Sequence, residues 1–187
     1  MRRFYWINIK GKDWKEMIKV MSAYKPRIYH YAVKWEMPQE GTLKCNTDGA
    51  CRGNPGIGAY GFCLRDNKGD LIYAEAEKIG QTTNVEAEMK AILEALKYCV
   101  SKEVRRLVIE SDSLLMVNII NKTWRVPWEL AEQYDELQQA LMKIEAIIRH
   151  TFREGNKWPT TWQTLLLTMM KSRFSDLSNN FRHLEKR

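Results

Sequence analysis

From Leu43 onward the chain alternates, with Leu43, Cys45 and Thr47 set against Lys44, Asn46 and Asp48. This is the period of two that a pleated strand imposes. The strand runs into Gly53-Asn54-Pro55-Gly56, a loop whose glycines can take dihedrals closed to bulkier side chains. Ala59 to Asp66, carrying Tyr60, Phe62 and Leu64, predicts a second strand. Asn67-Lys68-Gly69-Asp70 is a hairpin turn signal, and Leu71 to Ile79 predicts the third strand. The period then changes. Val85, Met89, Ile92, Leu96 and Cys99 recur at helical spacing, and Thr83 with Glu86 forms a capping box at the start of a helix reaching about Ser101.

Glu88 lies beside that apolar stripe, with Ala91, Ile92 and Ala95 as neighbours on its own face. Neighbours of that size let a carboxylate approach a sheet, whereas Glu86 and Glu94 read as solvated. Leu107-Val108-Ile109 has strand length and closes on Glu110-Ser111-Asp112-Ser113, after which Leu114, Val117 and Ile120 mark a helix. Asp112 at that junction stands equally as a helix N-cap and as a functional acid. Pro127 opens a further helix where its missing N–H is harmless, with Leu130, Tyr134, Leu137 and Leu141 on one face. Trp124 and Trp128, beside Arg125, read as staples over its end, with base stacking as the second reading. Glu145 to Phe152 alternates again, placing Ala146, Ile148, His150 and Phe152 on one side of a last strand.

Residues 1–40 show a modest helical pattern around Trp14, Ile18 and Met21, interrupted by Pro26 and Pro38. They read as a basic extension that packs loosely or docks on the body, with Pro38 to Gly41 as the linker. The body then occupies residues 41–157. At 187 residues, 44% hydrophobic and 28% charged, the chain has the size and composition of one ordinary globular domain with extensions. No window approaches the roughly 20 apolar residues of a bilayer span, so no membrane association is expected. Cys45, Cys51, Cys63 and Cys99 show neither a Cys-x-x-Cys pair nor zinc spacing, which points to reduced thiols in the cytoplasm or nucleus.

The net charge of +7 is unevenly placed: +6 over residues 1–44, −3 over 45–156 and +4 over 157–187. The basic character that favours nucleic acid therefore sits in the two ends. A mildly acidic body fits carboxylates gathered around a metal, and fits a solvated acidic surface equally. Asp48, expected at a strand end beside the glycine loop, suits a metal-dependent site acting on phosphates. An Asp before a Gly is also ordinary turn chemistry.

The order strand, strand, strand, helix, strand, helix, helix, strand, with acids at Asp48, Glu88 and Asp112, resembles the ribonuclease H fold. It resembles in particular the plant-type ribonuclease H-like domain of reverse-transcriptase-derived sequences. The resemblance spans about Leu43 to Lys157 and rests on several motifs. These are Asn46-Thr47-Asp48-Gly49-Ala50, Gly53-Asn54-Pro55-Gly56, Thr83-Asn84 leading to Ala87-Glu88, Glu110-Ser111-Asp112-Ser113, and His150 with Arg153-Glu154-Gly155-Asn156. It implies an α/β domain with a five-stranded mixed sheet flanked by helices, acting as a monomeric endonuclease on the RNA strand of RNA–DNA hybrids. It further implies two Mg²⁺ ions (or Mn²⁺) about 4 Å apart, held by Asp48, Glu88 and Asp112, with His150 moving a proton. Cys51, Gly53 and Asn54 match positions that read the RNA 2′-OH, and Thr83 and Asn84 match positions that contact DNA. Leu114 stands where some bacterial relatives have a substrate-binding Gln.

The resemblance breaks after Lys157. The family continues with a Val-Ala-Asp-x-Leu-Ala pattern whose Asp is a fourth metal ligand, but here the chain reads Trp158-Pro159-Thr160-Thr161-Trp162-Gln163-Thr164. Lys157 to Thr164 can be encoded AAG TGG CCG ACT ACT TGG CAA ACT. Read from the last base of the Lys codon, the same bases give Val-Ala-Asp-Tyr-Leu-Ala-Asn. A one-base deletion or a gene-model error would account for the break and would make residues 158–187 an out-of-frame tail, with Trp162 to Met170 an unplanned apolar run. Without the fourth acid, two further readings stay open: a catalytically silent nucleic-acid-binding module, and a degenerate fragment without a stable fold.

Overall fold

The computed structural model describes residues 13–22 and 32–156. The tail 158–187 and its apolar run lie outside the described residues. The chain divides into two units, Met1–Ala32 and Val33–Arg187. In the first, α1 spans Trp14–Ser22, and the Asp13 carboxylate accepts from the Glu16 N–H at 2.7 Å at its start.

The second unit contains five strands: β1 Leu43–Gly53, β2 Gly56–Arg65, β3 Leu71–Thr82, β4 Arg106–Ser111 and β5 Glu145–His150. Its helices are α2 Asn84–Ser101, α3 Leu114–Ile120 and α4 Ala131–Leu141. The strands form one mixed sheet in the order β3-β2-β1-β4-β5. The first three make an antiparallel meander, and β4 and β5 join it in parallel. β4 pairs in parallel with β1 on the side away from β2 and β3, so the chain must cross over after β3 to reach it, and α2 makes that crossing. Its stripe is buried as the spacing predicts, with Met89, Ile92, Leu96 and Cys99 fully enclosed. The capping box is present in both halves, since the Thr83 hydroxyl accepts from the Glu86 N–H at 3.2 Å and the Glu86 carboxylate accepts from the Thr83 N–H at 2.8 Å. Glu86 is thus a cap rather than a solvated acid, and the Thr83 N–H, with the Thr82 and Thr83 hydroxyls, holds its carboxyl below the usual carboxylate range.

Three expectations change. β1 does not stop near Asp48; pairing with β2 carries it on to Gly53, so Asp48 sits in mid-strand with 4% exposure. Only on its other side does pairing end, because β4 runs out at Ser111, opposite Thr47. The last strand ends at His150, and Phe152 stands outside it, 57% exposed. Trp124 and Trp128 are not staples. They are 51% and 83% exposed, and Leu130, at 1% exposure, closes the entry to α4 after a 3₁₀ turn begun by Pro127.

The compact unit begins at Val33, ahead of the expected linker. Trp35 and Glu36 form a strap over the sheet. The Lys44 ammonium donates to the Glu36 carbonyl at 2.7 Å and lies 4.4 Å from the centre of the Trp35 ring. Beneath the strap the Glu110 carboxylate is paired with Lys44 at 2.8 Å and Arg149 at 2.7 Å. It also accepts from the Asn46 amide at 3.1 Å.

Candidate active site

Register explains how distant acids meet. Thr47 pairs with Ser111 across parallel strands, so the next residues, Asp48 in mid-β1 and Asp112 just past the end of β4, lie at the same level. Ligands of open α/β sheets gather at such carboxyl ends. Asp112 is not committed to capping α3. The Ser113 hydroxyl takes that role by accepting from the Met116 N–H at 3.4 Å.

The third acid arrives on α2. A Cβ on Gly49 would collide with the Ala87 carbonyl group and the Glu88 nitrogen, so only glycine lets the helix come this close to β1. The Glu88 carboxylate then accepts from the Gly49 N–H at 3.2 Å. One helical turn earlier the Asn84 side-chain oxygen accepts from the Cys51 N–H at 2.9 Å. Gly49 and Cys51 are alternate residues of a strand, and Asn84 and Glu88 are one turn apart on a helix. The two spacings match, so α2 side chains take up N–H groups that β4 is too short to pair.

One ligand oxygen each from Asp48, Glu88 and Asp112 lies within 4.8 Å of the others. Three like charges this close oppose one another. Burial pushes the Glu88 carboxyl up to about 9, and the charges of Asp48 and Asp112 push the same way. The Gly49 N–H and the Arg153 guanidinium offset part of the rise. A divalent cation would relieve much of this repulsion, and three hard oxygen donors suit Mg²⁺ or Mn²⁺. The residues present therefore fit such an ion.

The other residues singled out in the sequence fall in two places. His150 pairs with Ser111 across β4 and β5 and sets its ring roughly perpendicular to Phe152, 5.6 Å away. It does not join the three-carboxylate set. Cys51, Gly53, Asn54, Thr83 and Asn84 gather where the β1–β2 turn meets the start of α2. The Asn84 N–H donates to the Asn54 side-chain oxygen at 3.1 Å, and the Cys51 thiol donates to the Thr82 carbonyl at 3.0 Å. Gly53 has φ of +89°, a turn conformation that favours glycine. The Thr83 side chain is engaged in the cap.

Three further contributors had no role assigned from sequence. Arg153 places its Nε 3.9 Å from the Asp112 carboxylate. Asn156, 1% exposed, donates to the Thr47 carbonyl at 2.8 Å and to Asp112 Oδ1 at 3.5 Å. Its own Oδ1 accepts from Asn46 at 3.1 Å. The signal for Asn46 was present, since it shares a strand face with Asp48 at the period of two.

Comparison with known proteins gives a consistent set. A family model described as reverse transcriptase-like matches residues 46–162. A bacterial relative named ribonuclease H, from Syntrophomonas wolfei, is 36% identical over 145 residues, covering 67% of this chain and 94% of the relative. An Arabidopsis thaliana protein, named among the ribonuclease H proteins, is 30% identical over 135 residues. That match covers 71% of this chain but only 22% of the plant protein. Among solved structures, RNase H1 from the archaeon Halobacterium salinarum superposes with a TM-score of 0.65 at 25% identity, covering 68% of this chain and 98% of that one. LC11-RNase H1, solved in complex with an RNA/DNA hybrid, gives 0.62 at 25% identity, covering 66% and 94%.

Proposed function

Since the chain belongs to the reverse transcriptase-like family, with its ribonuclease H-like fold, we propose that it is a metal-dependent endonuclease hydrolysing the RNA strand of RNA–DNA hybrids. One observation carries the reading: carboxylates from three separate elements present oxygens within 4.8 Å of one another. Asp48, Glu88 and Asp112 would hold the ions, two Mg²⁺ on our reading, with Asp48 as the shared ligand. When bound, such ions make a water nucleophilic at neutral pH and stabilise the leaving alkoxide.

The rest falls to the chain's own side chains. Asp48 is held in mid-strand by the pairing of β1 with β2, Glu88 by the Gly49 N–H, and Asp112 by Asn156. Arg153, close to Asp112 and largely exposed, adds positive charge where a phosphate would approach. His150, at the end of β5, would accept or pass on a proton near the leaving product, a task suited to an imidazole side chain. Cys51, Gly53 and Asn54 would read the RNA strand at its 2′-OH, the group that separates RNA from DNA. Thr83 and Asn84 would face the DNA strand. A monomeric chain in the nucleus or cytoplasm completes the proposal.

Incubation of the 187-residue chain with end-labelled hybrid and Mg²⁺ tests it. Cleavage that Asp48→Asn abolishes supports the reading, and cleavage that persists in Asp48→Asn removes the site from the reaction. A second reading has its own observation, because no Asp or Glu occurs from Lys157 to Lys171, where the family has its fourth ligand. On that reading the chain binds hybrid without cleaving it, and gel-shift without product selects it.

A further inference from the structure

The strap formed by Trp35 is tied to the acid cluster through a continuous line of hydrogen bonds. The Trp35 indole N–H donates to Asn46 Oδ1 at 3.3 Å. Asn46 Nδ2 donates to the Glu110 carboxylate and to Asn156 Oδ1, both at 3.1 Å. Asn156 Nδ2 donates to the Thr47 carbonyl at 2.8 Å and to Asp112 Oδ1 at 3.5 Å. Chemistry fixes the direction of every link. An indole N–H can only donate, so Asn46 must turn its oxygen to Trp35. Its nitrogen then faces two acceptors, Glu110 and Asn156. That leaves Asn156 presenting its own nitrogen to Thr47 and Asp112. Reversing either amide would set like dipoles against one another in a buried space, where an unmet polar group is costly. Asn46 and Asn156 are 4% and 1% exposed, so water does not compete for these bonds.

We propose that Trp35 is a positioning residue of the active site: through Asn46 and Asn156 it orients Asp112 for cation capture, so that the strap carrying Trp35 is part of the catalytic unit. This rests on reading Asp48, Glu88 and Asp112 as a divalent-cation site, and the test separates the two ideas. Trp35→Phe keeps an aromatic ring over Lys44 and removes the donor at the head of the line together with one ring of the indole.

The full chain and its variants are titrated with Mn²⁺ alone, followed by calorimetry and by water-proton relaxation. Losing this part-buried hydrogen bond should weaken Mn²⁺ binding about five-fold in Trp35→Phe, and the Asn156 side-chain NH₂ resonances should shift. Met37→Ala, on the same strap but 64% exposed and outside the line, should bind Mn²⁺ as the unmodified chain does. If Asp48→Asn loses Mn²⁺ while Trp35→Phe retains full affinity, the relay is wrong and the cation site stands. If Met37→Ala weakens binding as much as Trp35→Phe, the strap acts by general stabilisation and the relay is again wrong. If Asp48→Asn binds Mn²⁺ unchanged, the cation site itself fails and the relay with it. Should Trp35→Phe not fold, the unmodified chain answers the question. Its Trp35 indole N–H resonance, assigned through its proximity to the Asn46 amide, moves on Mg²⁺ addition if the relay operates; a stationary signal overturns it.

Discussion

The backbone N–H of Gly49 points at the carboxylate of Glu88, 3.2 Å away, across a contact that only a residue without a side chain permits. Gly49→Ala should therefore push α2 off β1. Overpacking of this kind costs about 1–3 kcal/mol, measurable by urea denaturation. Because the displaced element carries Glu88, Mn²⁺ affinity should fall in the same variant. A variant that loses stability but keeps its Mn²⁺ affinity would uncouple the two.

The pH dependence of the metal-free chain follows from Glu88. Its carboxyl is raised to about 9 in the fold, by burial first and by Asp48 and Asp112 second, against about 4.3 for an unfolded Glu. Between these values the folded chain holds a proton that the unfolded chain has lost, so stability falls as pH rises. The contribution is complete below about pH 4.3 and is lost as pH climbs through about 9. In EDTA, melting temperature should decline across this window. Glu88→Gln should flatten the decline, and Mg²⁺ should reverse it by favouring the ionised form.

Beneath the strap, Lys44 and Glu110 form an ion pair at 2.8 Å, with side chains 1% and 6% exposed. Truncating one member of such a pair leaves a buried charge and costs about 3–5 kcal/mol. Glu110→Ala should show a loss of that order in chemical denaturation, since it leaves the Lys44 ammonium, 1% exposed, without its carboxylate. Lys44→Met should cost less, because Arg149 and Asn46 still hold Glu110.

The break after Lys157 yields its own prediction. Replacing residues 158–164 by Val-Ala-Asp-Tyr-Leu-Ala-Asn supplies a fourth carboxylate at the family's spacing. Mn²⁺ should bind more tightly, and hybrid cleavage should rise or first become detectable. Unchanged Mn²⁺ affinity would show that the three existing acids already form the full site. The nucleotide sequence across Lys157 tests the frame shift separately.

Much of this site was legible because period and capping are local. The alternation around Asp48, the Thr83–Glu86 box and the stripe from Val85 to Cys99 each depend on neighbours a few residues away. Placing Glu88 needed only its helical offset from that stripe. What escaped depends on partners far along the chain. Asp48 looked like a strand end because the loop at Gly53 is visible in sequence, whereas the pairing of β1 with β2 beyond it is not. Trp35 read as part of a loose extension because its partner, Asn46, is a strand away. Trp128 read as a staple because its apolar surface invites burial, yet Leu130 fills that space first.

One last consequence follows from β4 stopping short. An unpaired strand flank is a template on which another chain can add, and proteins blunt such flanks to stay soluble. Here Asn84 and Glu88 do so for β1, occupying its Cys51 and Gly49 N–H groups. The side chain that serves chemistry is thus also a guard against self-association, and disturbing it uncovers a sticky border of the sheet.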